Sequence, residues 1–294
     1  MGYSHSSING WNYNNCHDFR DIPQGSKAAV EHFYIGFCIC LAGAYARVII
    51  DLKKSAGYWV QGNLCAVSFS LDLRYVSIFL REKIWEKKNF MRAEFAKFEK
   101  IKGFLHPNEG KFLYELASKE CRERFAVEIG SYCGKSACYL GLACKENNTK
   151  LFSIDHHRGS EEQQFGEEYF DEEIYDYEKK RVDTYPLFIS NIKKFGLIDT
   201  IIPVIDNSEE ASKKIEDDLD LVFIDGSHTF ESARNDYFSW RDKIRIGGIL
   251  AIHDIYDSEL EGGQAPKEIY EKALAENFEL IDRVHSLDAL RKLD

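Results

Sequence analysis

From Phe104 onward, short apolar runs alternate with helical stretches, and this alternation constrains the fold more than any other feature. The runs are "FAVEIG" (125–130), "KLFSID" (150–155), "TIIPVID" (200–206), "LDLVFIDG" (219–226) and "GGILAIHD" (247–254). The last three are rich in β-branched residues and end in an acid or a glycine. Strands separated by helices and apolar along their length predict βαβ units and a parallel sheet buried on both faces. The expected fold is therefore α/β, with a doubly wound, mostly parallel sheet. Ligands of such sheets bind in the crevice at the strand carboxyl ends. Pro107 and Asn108 mark a helix start before the first run, with Phe112, Leu113 and Leu116 as its apolar face. The acidic, tyrosine-rich stretch "SEEQQFGEEYFDEEIYDYEKK" (160–180) interrupts the alternation. It reads either as a solvated helical insertion or as a lid over the crevice, spanning about residues 160–185.

The first hundred residues carry no such pattern. Residues 1–25 have loop character, and 70–100 interleave charges and aromatics as a helix does. The division expected is an N-terminal, mainly helical extension (1–100) and a ligand-binding domain (101–294). "FYIGFCICLAGAYA" (33–46) is fourteen residues without a charge. A membrane span needs about twenty. It reads as a buried helix, with membrane contact through residues 33–50 as the lesser alternative. The first six residues, "MGYSHS", also fit a loose myristoylation pattern. Among 294 residues the formal charge is −11, which argues against a nucleic-acid partner. Eight cysteines include no Cys-x-x-Cys pair, so they read as small buried apolar groups in a reducing, cytoplasmic setting.

The turn after the first run, "GSYCGKS" (130–136), looks like a phosphate-binding P-loop. A P-loop, however, needs four residues between its glycine and Gly-Lys-Ser, and here Gly130 and Gly134 are separated by three. Glu128 is also unexplained by that reading. It fits a strand ending in an acid, then a glycine-rich turn, then a helix, which lets a nucleoside and its attached chain approach the backbone. Asp155 ends the next strand, 21 residues past Gly134, where a doubly wound fold places a carboxylate for ribose hydroxyls.

These segments resemble the class I S-adenosylmethionine-dependent methyltransferases. They are most similar to the bacterial group of macrocin O-methyltransferase and cephalosporin-hydroxylase-like proteins. The resemblance covers about residues 101–290 and rests on "GFLHPNEGKFLYELA", "VEIGSYCGKS", "SIDHHRGS" and "LVFIDGSHTFESARNDYFSWRDKIRIGGILAIHDI". It implies a Rossmann-like methyltransferase fold and S-adenosylmethionine as cofactor. By position, Glu128, Gly130, Ser131 and Gly134 would form the cofactor turn and Asp155 would bind the ribose. Asp206, followed by Asn207 and Ser208, would meet the adenine edge. Two positions depart from the pattern. Tyr132 stands where many methyltransferases have a second glycine, and His156 where the group often has proline.

"IDGSH" and "HD" carry the chemistry. Asp225 and Asp254 each close a neighbouring strand and could supply oxygen ligands to a hard cation such as Mg2+. Several members of the resembled group hold magnesium in this corner. His253 is a softer ligand, which brings in Mn2+ or no metal at all. The metal candidates are thus Asp225, Asp254 and His253. His228 would remove a proton from the acceptor, with Asp225 beside it as the second catalytic candidate. The leading expectation is O-methylation of a small hydroxylated acceptor, with a sugar as one example. A non-catalytic cofactor-binding or scaffold protein of a biosynthetic pathway is the alternative, and a P-loop-like phosphotransferase ranks third. A homo-oligomer stays open.

Overall fold

All five apolar runs become strands of one sheet in the computed structural model, which describes residues 73–160, 163–167 and 170–294. The expectations for residues 1–72, including the charge-free segment, fall outside the described residues. Leu80–Asp294 forms one compact unit. Helix α1 (Leu73–Phe98) leads to α2 (Pro107–Glu120), and the chain then alternates. The order is β1 (Ala126–Ile129), α3 (Lys135–Glu146) and β2 (Leu151–Ile154), then a two-residue hairpin of β3 (Tyr175–Asp176) and β4 (Arg181–Val182). It continues through α4 (Tyr185–Lys194), β5 (Ile201–Val204), α5 (Ser208–Ser212), β6 (Leu219–Ile224), α6 (Phe230–Trp240) and β7 (Ile244–Ile252). Helix α7 (Ala265–Ala275) precedes β8 (Phe278–Val284) and β9 (Leu287–Lys292).

The seven-stranded sheet runs β5-β2-β1-β6-β7-β9-β8. The first five strands in that order are parallel, and β9 pairs antiparallel with both β7 and β8. The strand order reverses at β1, so the carboxyl ends of β1, β2 and β6 open onto a switch-point crevice. β1 and β6 are buried along their whole length, which explains their mostly apolar character, with Glu128 and Asp220 as buried exceptions. One face of the sheet carries the end of α1 with α2, α3 and α4, packed through Phe98, Leu113, Tyr139 and Phe188. The other carries α5, α6 and α7 through Trp240, Tyr237 and Ile269.

Cys121, Cys133, Cys138 and Cys144 are all buried and unpaired. No helix among the described residues is long and apolar enough to cross a membrane. Among the described residues, the segment between β2 and β3 holds no α-helix, only a short 3-10 turn at Glu172–Ile174. Its aromatic rings stack on one another, Phe165 on Phe170 and Tyr175, and Tyr175 on Tyr177. Lys102 ties it to the loop before α2 through Asp171 and Glu173.

Candidate functional site

The turn after β1 is built by backbone demands first. Gly130 and Gly134 both sit at φ +87°, in the region that favours glycine. A Cβ on Gly130 would stand 2.0 Å from the carbonyl oxygen of Asp225, because the ends of β1 and β6 touch there. Tyr132 takes φ +45°, a costly conformation for a tyrosine. Asp155 holds it in place. Its Oδ2 accepts the amide protons of Ser131 at 3.1 Å and Tyr132 at 2.8 Å. Its Oδ1 accepts the His157 amide at 2.6 Å. The acid that ends β2 therefore clamps the glycine turn as well as lining the crevice. His157, not His156, makes the sharp bend after β2, at φ +56°.

Glu128 lies beneath this turn, fully buried, and is not part of the crevice wall. Ser153 Oγ donates to its Oε2 at 2.5 Å, while Oε1 has no partner among the described residues. Burial pushes the Glu128 carboxyl up to about 8, so it is protonated near neutrality. Expected in the cofactor turn, it sits under that turn and does not line the crevice. Lys135, the lysine of the P-loop-like string, pairs with Glu99 at 3.4 Å.

A cavity of about 630 Å3 opens at the strand ends, lined among others by Gly130, Ser131, Asp155, Asp206, Ser208 and Asp225. Asp206 is anchored by Lys214 at 2.5 Å and accepts the Asn207 amide at 2.9 Å. Ser208 Oγ accepts the Trp240 indole proton at 2.9 Å.

Asp225, His253, Asp254 and His228 converge on one side of the cavity. His253 Nδ1 lies 3.0 Å from Asp225 Oδ1 and 3.2 Å from Asp254 Oδ2. His228 Nε2 lies 3.1 Å from the same Asp254 oxygen. Tyr256 donates to Asp254 Oδ1 at 2.9 Å. Asp254 itself stands at φ +59°, turned out of the strand direction so that its carboxylate reaches both histidines. Behind His253, its Nε2 meets Glu109 Oε2 at 3.0 Å. Glu109 also accepts the His106 amide at 3.0 Å and both the amide and hydroxyl of Ser286.

Burial opposes charge on His253, yet the three surrounding carboxylates raise it well above the ordinary histidine range. Burial would also raise Glu109, but the bond and charge of His253 hold it down to about 2. Asp254 is likewise held well below the carboxylate range by His228 and His253 against its burial. The corner is an ion network reaching from α2 to the end of β7, buried at Glu109 and His253 and partly open at Asp225, Asp254 and His228. Asp225, His253 and Asp254 each offer a ligand atom, all within 4.8 Å of one another.

Residues 127–255 match the family model described as "Methyltransferase domain" (Methyltransf_24). The part of the chain that it matches, less than half of the whole, is a methyltransferase domain. The chain is also similar to y4gI of Sinorhizobium fredii, an uncharacterized protein, with 27% identity over 135 residues. That match covers 45% of this chain but only 13% of y4gI, so the chain spans a small part of its relative's length. A Corynebacterium glutamicum protein of solved structure shares the fold at 15% identity and a TM-score of 0.50, covering 68% of this chain and 90% of its own. The O-methyltransferase TomG of Streptomyces achromogenes, solved with S-adenosylmethionine, is 15% identical with a TM-score of 0.46, covering 65% of this chain and 82% of its own.

Two residues at the methyltransferase domain's site were absent from the sequence expectations. Glu109 carries a helix-start signal, since His106 and Glu109 make a reciprocal cap on α2, but nothing local announces a partner 144 residues away. Asp236, on α6, is 4% exposed and lines the cavity. In sequence it is one more acid in a charged helix.

Proposed function

We propose that the chain transfers the methyl group of S-adenosylmethionine to a hydroxyl oxygen of a small acceptor. One observation carries this reading. Asp254 and Tyr256 stand on the wall shared by the main cavity and a second hollow of about 400 Å3, and His228 reaches Asp254 there. A donor in the main cavity and an acceptor in the second would meet beside a histidine. The glycine turn and Asp155 suit the donor's ribose and amino-acid chain, with acceptor capacity left on the Asp155 oxygens.

In the transfer, an acceptor oxygen forms the new C–O bond while the sulfonium S–C bond breaks and its electron pair stays on sulfur. His228 takes the hydroxyl proton, and Asp254 steadies the imidazolium that forms. Glu109 and His253 fix the carboxylates of Asp225 and Asp254, and most of the remaining acceleration comes from alignment of donor and acceptor.

The donor set at Asp225, His253 and Asp254 also suits a divalent ion that accepts imidazole and carboxylate together, such as Mn2+ or Zn2+, better than Mg2+. Glu109 behind His253 matches the outer carboxylate commonly found behind a metal-bound histidine. Such an ion, when bound, would lower the pKa of the acceptor hydroxyl. A phosphotransferase is disfavoured by the Lys135–Glu99 pair, which draws the loop lysine away from a phosphate. The test is a screen of hydroxylated acceptors with methyl-labelled donor, with and without chelator. Label in an ether product supports the reading. Label in no acceptor, from protein shown to bind the donor, counts for a cofactor-binding protein instead.

A further inference from the structure

Helix α1 packs on the domain through its carboxyl end. Met91 and Phe98 are buried there, and the Phe95 ring stands 5.0 Å from that of Tyr139. From Arg81 to Phe90 every residue is exposed, so this part of the helix stands clear of the core. Helical spacing brings Arg81, Ile84, Trp85, Lys88 and Arg92 onto one side of it, at i, i+3, i+4, i+7 and i+11. Ile84 is 65% exposed and Trp85 67%. Arg81, Lys88 and Arg92 are exposed around them and form no ion pair among the described residues. The acids of this stretch, Glu82 and Glu86, lie off that side, and Glu86 is taken up by Lys83 at 2.7 Å.

We propose that this side of α1 docks on the surface of an anionic phospholipid bilayer. The inference is independent of the methyl-transfer reading, since none of these residues lines the cavity. Charge argues for the partner. The whole chain carries a formal −11, yet this side of α1 presents cations and no acid. An anionic surface attracts this side and repels the rest of the body, which fixes how the protein approaches. The apolar pair argues for a bilayer rather than a folded acidic partner. Tryptophan favours the headgroup level, where its ring is half in lipid, and arginine and lysine stems reach from the same helix to the phosphates. A helix with an isoleucine–tryptophan centre and a basic rim lies flat in that interface. Each cation near an anionic surface adds attraction, and salt weakens it.

The experiment is co-sedimentation of the full chain with vesicles of phosphatidylcholine alone and of phosphatidylcholine mixed with phosphatidylglycerol. Wild type is expected to bind the mixed vesicles about tenfold more tightly or better, and to lose most of that preference in high salt. Arg81→Glu combined with Lys88→Glu should weaken binding to the mixed vesicles by about tenfold or more. Trp85→Ser should weaken it by about fivefold. Because these side chains are exposed, circular dichroism and Tm should match wild type. Should the paired charge reversal prevent folding, Trp85→Ser and the lipid and salt comparisons on wild type decide the matter. Equal binding to both kinds of vesicle overturns the proposal, as does no binding to either. A folded charge-reversal variant that binds like wild type also overturns it, and puts membrane contact elsewhere in the chain. So does a wild-type dimer in sedimentation equilibrium that the charge reversal dissolves, without vesicle binding, which would give this face to a second copy instead.

Discussion

Glu109 Oε2 stands 3.0 Å from His253 Nε2 and joins the first turn of α2 to the end of β7. The pair turns the other imidazole nitrogen toward Asp225 and Asp254. Removing the Glu109 charge should leave His253 less firmly held and the two carboxylates less well placed. Glu109→Gln is expected to lower turnover by about 10- to 100-fold, the usual effect of losing an outer carboxylate behind a histidine. Affinity for S-adenosylhomocysteine should change by no more than about twofold. Steady-state rates and calorimetry on one preparation separate the two effects. Equal losses in rate and cofactor affinity would assign Glu109 to the fold alone.

A bound ion at Asp225, His253 and Asp254 should show directly. Mn2+ added to chelator-treated protein is expected to bind at one site per chain, read by electron paramagnetic resonance, and to raise turnover more than Mg2+ does. Asp225→Ala should abolish that binding. Full turnover in chelator, with no bound Mn2+, would leave the corner to the His253 proton alone.

Glu128 has a sign that can be worked out. Its carboxyl rises from an ordinary 4.5 to about 8 in the fold, so the native state binds the extra proton between those values. Stability from this group is present below about pH 4.5 and is lost as pH climbs through 8. Glu128→Gln removes the titration and keeps the shape. The variant should gain on wild type by about 2 to 4 kcal/mol between pH 5 and pH 9, since each pKa unit is worth about 1.4 kcal/mol. Denaturant melts at the two pH values measure it. An unchanged difference would mean that the carboxylate ionises freely.

Gly130 tests the fold before it tests binding. Its φ of +87° and the 2.0 Å approach to the Asp225 carbonyl leave no space for a methyl group. Gly130→Ala should cost about 3 kcal/mol or more, or prevent folding. Gly134→Ala, at the same φ, meets Phe188 at 3.0 Å rather than backbone, so it should cost less. Thermal melts of both variants give the order, and a Gly134 variant that is the less stable would refute it.

Most of the sheet was legible in the sequence because β1, β2, β6 and β7 lie inside it, with β5 at the edge beside β2, and all five read as largely apolar runs. The β8–β9 hairpin was not. β8 has its interior exposed at Glu279, Leu280, Arg283 and other positions, and its turn uses His285 at φ +52° in place of the usual Asn-Gly. The acid at each strand end was likewise visible, since a strand fixes where its last side chain emerges. What those acids bind was not, because it depends on contacts far away in sequence. Asp155 meets amides 23 and 24 residues back, and His253 meets Glu109 across 144. Ser208, expected at the adenine edge, turned out to be held by Trp240 on a helix 32 residues on.

The most direct measurement of the central claim is isothermal titration of the whole chain with S-adenosylmethionine, S-adenosylhomocysteine and magnesium-ATP. The account predicts saturable one-to-one binding of the first two and no heat of binding with ATP. Folded protein that binds neither S-adenosyl compound, or that binds ATP in their place, would contradict it.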